Sequence, residues 1–355
     1  MRRLLLIFFV AFGAASAASL QAAAGDPFTV SGVKVDATAP SAVEAQTKAI
    51  NSGRAKAWQT LYRRLTKQQD WGKQPPIDDA TLQRLVRSYQ ARDQRSSTTR
   101  FVANMTYVFN ATAVRRILQQ ANLAYSDVTA RPALVIPLAP GWSAQTPWTQ
   151  AWKAPRFGHG ALPLVLPLAD KIDDTALASL HFDTATWQDV EPMASRVHAG
   201  AAYVVLVIPQ RAQMLVKIRH LAPSPGAAIA DLAVPVPPNT PAPKAFGAVA
   251  DAAANAIIEA WKSRSAVDFS KHSKLLASVP VENLEDWSRT LQKIEAVPTV
   301  SDVSLVAMDI GEARIAISYA GSPEQLSDQL ARAGLALSNE KGDWRLGRSE
   351  AEARQ

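Results

Sequence analysis

The sequence contains no cysteine in 355 residues. It therefore has no disulfide framework, no thiolate nucleophile, no cysteine-ligated zinc site and no lipid-modified cysteine. Aromatic residues make up 7% and charged residues 19% of the chain, whereas 48% is hydrophobic. That hydrophobic share suits globular cores and argues against wholesale disorder.

Several catalytic and nucleotide-binding motifs are also missing. The chain has no G-x-S-x-G elbow, no S-x-x-K, no G-K-[ST] loop and no G-x-G-x-x-G turn. Its five histidines are isolated and form neither H-x-x-x-H nor H-E-x-x-H, so a zinc protease has no support. We predict no metal, no cofactor and no enzymatic activity.

The one long apolar run lies at the amino terminus. Arg2 and Arg3 precede residues 4–18, which are apolar and then small. A membrane-spanning helix needs about 20 apolar residues, and this run is shorter. Residues 1–24 are therefore predicted to be a signal peptide, cleaved after Ala17 or Ala24, that exports a soluble protein to a bacterial periplasm. Membrane contact would be peripheral at most.

Positive charge is concentrated early in the chain. Residues 1–130 hold 17 Lys and Arg against 8 Asp and Glu, and the remainder holds 21 against 23. Such charge can form a patch for anionic lipid head groups, wall polymer or an acidic partner, or only solvated helix faces. The export signal and the lack of a recognition motif argue against nucleic acid. The basic residues of a predicted helix, its exit and the segment that follows are Arg54, Lys56, Arg63, Arg64, Lys67, Lys73, Arg84, Arg87, Arg92, Arg95 and Arg100.

The pattern predicts an α+β chain of three consecutive small α/β modules after the signal peptide. The basic first module covers residues 25–130: a strand at 28–35, a capped helix from Ser41 to Leu65, a helix at 79–90 and a strand at 101–109. The second, at 131–268, is a mixed-sheet module with a Trp-rich loop. The third, at 269–348, follows the ferredoxin-like order β-α-β-β-α-β.

The strongest binding candidates in the sequence are tryptophans of the second module. Trp142, Trp148 and Trp152 lie in one loop, where such rings stack on sugars, hold a peptide, or fold down onto their own sheet. His159 lies nearby between two glycines, although no partner residue for it can be named. In the basic first module, the candidate binding residues are Arg63 and Arg64.

Carboxylates offer the remaining catalytic hypothesis. Asp70, Asp78 and Asp79 are close in sequence, and so are the residues of a second group, Asp170, Asp173 and Asp174. Paired carboxylates hydrolyse glycosides only when they face each other across a cleft. We favour helix capping for Asp78–Asp79 and for Asp173–Asp174.

Three stretches resemble a known family. They are residues 28–65, residues 131–138 with the sequence RPALVIPL, and residues 315–337, which contain Tyr319, Gly321, Ser322, Gln325 and Leu326. Together they resemble the bacterial exported proteins of domain-of-unknown-function family 2066. The resemblance implies a structural framework and no catalytic residues.

Three hypotheses of function follow. The first is a non-catalytic periplasmic protein that binds or scaffolds an envelope protein or a wall or glycan component. The second is an envelope hydrolase with carboxylates contributed by different modules, which requires a raised carboxyl pKa. The third is a glycan or small-molecule receptor with a pocket lined by the tryptophans.

Overall fold

A computed structural model describes residues 26–139, 143, 145–223, 229, 231–340 and 342–348. The predicted signal peptide lies outside these residues. Three sheets with helices packed on them confirm the mixed α/β fold, and the strands of each sheet fall within one of the three predicted ranges. In the part of the chain that the structure describes, no helix is long and apolar enough to cross a membrane.

The first module is a three-stranded antiparallel sheet with the order β1-β3-β2. The long helix α1 packs on one face of this sheet through a stripe of small residues that includes Ala49, Gly53 and Ala57, as the four-residue spacing predicts. Its elements are β1 (Thr29–Thr38), α1 (Ala42–Leu65), a 3-10 helix (Gln68–Lys73), α2 (Asp79–Leu85), β2 (Val86–Ser96), β3 (Arg100–Phe109) and α3 (Ala111–Gln120).

The predicted helix at 79–90 is wrong in its second half. Asp78 caps α2 by accepting a hydrogen bond from the Thr81 amide, but the helix ends at Leu85 and β2 begins at once. Ten of the eleven residues of β2 are exposed, so the strand carries no apolar alternation that sequence reasoning could detect. The backbone pairing of β2 with β3 determines its conformation.

The second module is a five-stranded mixed sheet with the order β5-β4-β6-β7-β8, in which β4 is parallel to both of its neighbours. Helices α4 and α7 pack on one face, and α5 and α6 cover the other. Its elements are β4 (Ala133–Leu138), α4 (Pro147–Ala151), a 3-10 helix (Pro155–Gly158), β5 (Leu164–Val165), α5 (Lys171–Ala178), α6 (Trp187–Arg196), β6 (Ala201–Pro209), β7 (Gln213–Leu221), β8 (Leu232–Pro235) and α7 (Ala242–Ser265).

The third module has the predicted β-α-β-β-α-β order, followed by β13, where residues 344–346 are also expected to close the sheet. β13 lies parallel to β9 and separates it from β12, giving the order β10-β11-β9-β13-β12. The predicted capping box of α9 is present, with Ser322 and Gln325 bonded reciprocally. The elements are β9 (His272–Pro280), α8 (Leu284–Glu295), β10 (Val300–Asp309), β11 (Glu312–Ala320), α9 (Pro323–Arg332), β12 (Leu335–Glu340) and β13 (Asp343–Arg348).

The carboxyl end of α7 contacts both other modules. Lys262 Nζ donates to the carbonyl oxygens of Arg63 (2.7 Å) and Thr66 (2.9 Å) at the end of α1. Gln325 Nε2 of α9 donates to the carbonyl oxygens of Arg264 and Ala266. Because these bonds join main-chain atoms to side chains of other modules, they hold the three modules together at one junction.

Candidate functional site

The sheet of the first module has one covered face and one open face. The β3 residues that face α1 are buried, whereas Val102, Asn104, Thr106 and Val108 on the opposite face are only half-buried. A sheet of three strands packed on one side by a helix leaves its other side to solvent or to a partner. This open face is therefore accessible to a binding partner.

Cations from both outer strands lie on the open face. Lys34 of β1 and Arg92 of β2 pair with Asn104 from its two sides, and Arg95 pairs with Val102. Because directly opposed residues point to the same side of a sheet, all three cations share the face of Asn104 and Val102. All three are exposed. We call this surface the basic face.

The carboxylates on the basic face already have partners. Arg100 donates from Nε and Nη2 to the two oxygens of Asp36, at 2.8 and 2.6 Å. The hydrogen bond from Arg100 lowers the pKa of Asp36 below its usual value. Asp93 accepts from Asn104 Nδ2 at 2.7 Å and has a φ of 52°, which ends the regular part of β2. Asp36 also interacts electrostatically with Lys56, but within the described chain neither carboxylate forms a salt bridge with Lys34, Lys56, Arg92 or Arg95.

A depression of about 420 Å³ brings residues of the basic face together with Lys56 of α1, which comes from the other side of the sheet. Lys34, Lys56 and Arg95 line this depression. None of the three forms a salt bridge with another described residue. We call this feature the Lys34 depression. A concave surface lined by unpaired cations concentrates their field and attracts anionic groups. Its lining residues are Lys34, Val35, Asp36, Lys56, Asp93, Arg95, Val102, Ala103 and Asn104.

The structure places two of the candidate tryptophans in the core of the second module. Trp148 is 1% exposed and Trp152 is 4% exposed, and their rings meet edge to face at 5.6 Å. Trp148 also contacts Phe246 of α7. The rings are therefore buried between α4, α7 and the sheet, and they offer no open surface to a sugar or a peptide. Trp142 lies outside the described residues.

Arg63 and Arg64 are adjacent but differ in environment. Arg64 Nη1 donates to the carbonyl oxygens of Pro27 (3.1 Å) and Thr29 (2.6 Å), and burial lowers its pKa. It therefore fastens the start of β1 to α1 rather than facing a ligand. The Arg63 guanidinium lies 5.1 Å from the Trp71 ring centre and is exposed.

His159 and the other histidines do not form a metal site with neighbouring side chains in the described part of the chain. His159 is exposed just after the 3-10 helix Pro155–Gly158. Within the residues that the structure describes, no group of three or more His, Asp or Glu side chains could hold a metal ion. Among the candidates that the structure describes, Trp148 and Trp152 are buried and so share no surface with the exposed Arg63.

The two carboxylate groups act in helix capping and ion pairs. Asp170, not Asp173–Asp174, caps α5, and a hydrogen bond from Arg196 lowers its pKa to about 2. Asp173 is buried, accepts from the Ala169 amide and pairs with Arg196 at 2.6 Å. The pairing of Asp170 with Arg196 favours the charged carboxylate, whereas a general acid needs a raised pKa.

Sequence reasoning identified the arginines of β2 but assigned the first of them to a helix, and it omitted Lys34. The period-two spacing of Lys34 and Asp36 in a strand was the available signal, since it places both on one face. Their approach to Arg95 depends on the strand order β1-β3-β2, which local spacing does not reveal.

The first module is similar to a family of unknown function. Residues 33–127, from β1 to just beyond α3, match the model of a domain of unknown function (DUF8605). This match overturns the resemblance to domain-of-unknown-function family 2066, whose supporting stretches are strand, cap and helix patterns that unrelated α/β modules also use.

Other comparisons add little. No curated protein matches the chain. A solved structure of a formyltetrahydrofolate deformylase from Pseudomonas putida KT2440 is similar over 65% of this chain and 91% of its own, at 10% identity and a TM-score of 0.17. At that score the likeness carries no argument about fold or activity.

Proposed function

We propose that this chain is a non-catalytic binding protein of the bacterial periplasm, and that the basic face of its first module holds an acidic polypeptide partner. The observation that carries the proposal is the convergence of Lys34, Lys56 and Arg95 around the Lys34 depression without ion-pair partners in the described chain. The periplasmic location rests on the amino-terminal sequence pattern.

The mixed polarity of the basic face favours a polypeptide over a membrane surface. Asp36 and Asp93 lie in the same depression as the cations and would repel a dense layer of phosphate groups. An acidic peptide places its carboxylates several ångströms apart, so they can meet Lys34 and Arg95 and avoid both aspartates. Its amide groups can also bond to the half-buried polar side chains Asn104 and Thr106.

Several weak contacts supply the affinity in this proposal. An exposed ion pair contributes only about 0.2–1 kcal/mol, so no single cation would dominate. Three or four such pairs in a depression give a measurable affinity at low salt, which falls as ionic strength rises. Charge on this face would therefore contribute to affinity and also raise the rate of association and restrict the choice of partner.

A titration with a defined probe tests the proposal. A fluorescein-labelled 12-residue peptide of alternating Glu and Thr is titrated with the full chain at 20 and 150 mM NaCl. Because each exposed pair contributes about 0.2–1 kcal/mol, we expect Lys34→Ser with Arg95→Ser to weaken binding about two- to thirtyfold. The matched control, Arg211→Ser with Lys244→Ser, removes the same charge from exposed positions of the second module and should leave binding within twofold.

Two results would overturn the proposal. One is the absence of binding at 20 mM NaCl. The other is an equal loss of peptide affinity in the Lys34/Arg95 variant and in the Arg211/Lys244 control, since the peptide would then respond to net charge and not to the basic face.

A further inference from the structure

β2 is an edge strand that nothing in the described chain covers. It extends over Val86–Ser96, pairs with β3 on one side, and has no strand on its other side. Every residue after Val86 is exposed. An edge of this kind presents free backbone N–H and C=O groups that another extended chain can bind.

The regular part of β2 is long enough to accept a strand. Residues 88–92 pair with β3 without interruption, and register shifts lie on either side of them. Five residues are close to the mean length of a strand in globular proteins. The other edge, β1, pairs with β3 without interruption over residues 33–38, but its alternate side chains Val33, Val35 and Ala37 are buried, so it offers an added strand fewer accessible side chains than β2 does.

The side chains of β2 indicate what kind of strand would fit. Tyr89 lies on the α1 side of the sheet, with its ring 6.1 Å from that of Tyr107, and is 46% exposed. Gln90 and Arg92 pair with Thr106 and Asn104 and lie on the basic face. A fitting strand therefore alternates apolar residues beside Tyr89 with acidic residues beside Arg92.

We infer that the acidic partner binds by strand addition: an extended segment of alternating acidic and apolar residues pairs with residues 88–92 of β2. Beyond Arg92 the left-handed conformation of Asp93 interrupts the edge, and the segment continues toward Arg95 and the Lys34 depression. This inference rests on the proposed function and adds a backbone ladder to it. Main-chain hydrogen bonds then supply affinity, and the alternate side chains supply specificity.

Hydrogen exchange with matched probes tests the ladder. The full chain is incubated at low salt with a blocked eight-residue peptide of alternating Glu and Val, and amide exchange is followed by mass spectrometry. We expect at least tenfold slower exchange within residues 87–93. The same peptide N-methylated at alternate residues keeps the charges but loses the N–H groups, so it should bind at least tenfold more weakly and give no protection.

A side-chain variant provides a second readout. Tyr89→Ser removes the apolar contact but leaves every charge unchanged. We expect it to weaken binding of the Glu-Val peptide at least fivefold. The Glu-Thr peptide, which lacks apolar side chains, should be affected less than twofold. Circular dichroism and the thermal midpoint of the variant show whether it is folded.

The outcomes separate this inference from the proposed function. Equal binding of the N-methylated and unmodified peptides, without protection of β2, would overturn strand addition and leave anion binding standing. Binding of inorganic polyphosphate as tightly as the Glu-Val peptide would also contradict strand addition, because polyphosphate has no amide groups. Failure of every probe to bind at low salt would overturn both.

Discussion

Gly53 of α1 lies against the hydroxyl of Tyr107 on β3. A Cβ on Gly53 would lie 2.2 Å from that oxygen and 2.7 Å from Val35 Cγ1. The hydroxyl in turn donates to the Ile50 carbonyl oxygen at 2.9 Å. The helix therefore approaches the sheet at a position where only glycine fits, and this contact fixes the sheet whose other side is the basic face.

Replacement of Gly53 should destabilise the protein. Gly53→Ala gains up to about 1 kcal/mol of helix propensity. Overpacking against Tyr107 and Val35 costs about 1–3 kcal/mol and should exceed that gain. Urea denaturation measures the difference. Gly247→Ala in α7 is the control, since a Cβ there meets no atom within 4 Å, and it should be neutral or stabilising. A stabilised Gly53→Ala variant would contradict this contact.

Lys262 should be needed for the junction of the modules. It is 3% exposed, and it donates to the carbonyl oxygens of Arg63 and Thr66. Lys262→Met keeps most of the volume but leaves both carbonyls without this donor, which we expect to cost about 1–3 kcal/mol. Differential scanning calorimetry of this variant and of Lys244→Met, an exposed lysine of the same helix, provides the comparison. Equal midpoints for the two variants would show that the junction does not depend on Lys262.

His220 should make stability depend on pH. Burial, and then the charge of Arg264, lowers the pKa of His220 from 6.5 to about 4. Between these values the unfolded chain binds a proton that the folded chain does not, so stability falls as the pH drops from about 6.5 to about 4. His220→Gln should lose this part of the slope in urea denaturation at pH 7 and pH 4.5. His159→Gln, at an exposed position, should keep it; identical slopes for all three proteins would contradict the assignment.

Arg64 should affect stability and not binding. Arg64→Met removes the bonds to Pro27 and Thr29, and we expect a loss of about 1–3 kcal/mol. Affinity for the Glu-Thr peptide should change less than twofold at a temperature where the variant is folded. A tenfold loss of affinity in the folded variant would return Arg64 to the binding surface.

The sequence was most informative where local chemistry decides the structure. Ser322 and Gln325 form the predicted capping box, and the four-residue spacing from Ala49 to Leu65 does mark the buried side of α1. These features depend on residues within one or two turns of each other. Local sequence is sufficient in such cases because the hydrogen bonds and the helical period are themselves local.

The sequence was less informative where an element far away in the chain determines the local structure. β2 has no apolar alternation and is a strand only because β3 lies beside it. The burial of Trp148 and Trp152 depends on α7, about a hundred residues later in the chain. The Lys34 depression likewise needs side chains from β1, α1 and β2, whose meeting is a property of the fold.

Site-specific crosslinking in intact cells tests the central claim most directly. A photoreactive residue replaces Gln90 on the basic face or, as a control, Lys244 in α7, in the otherwise complete chain. The account predicts that position 90 attaches to an acidic segment of another envelope protein, that position 244 does not, and that Lys34→Ser with Arg95→Ser reduces the yield of the product. Products that are the same from both positions, or a yield that is undiminished in this double variant, would contradict it.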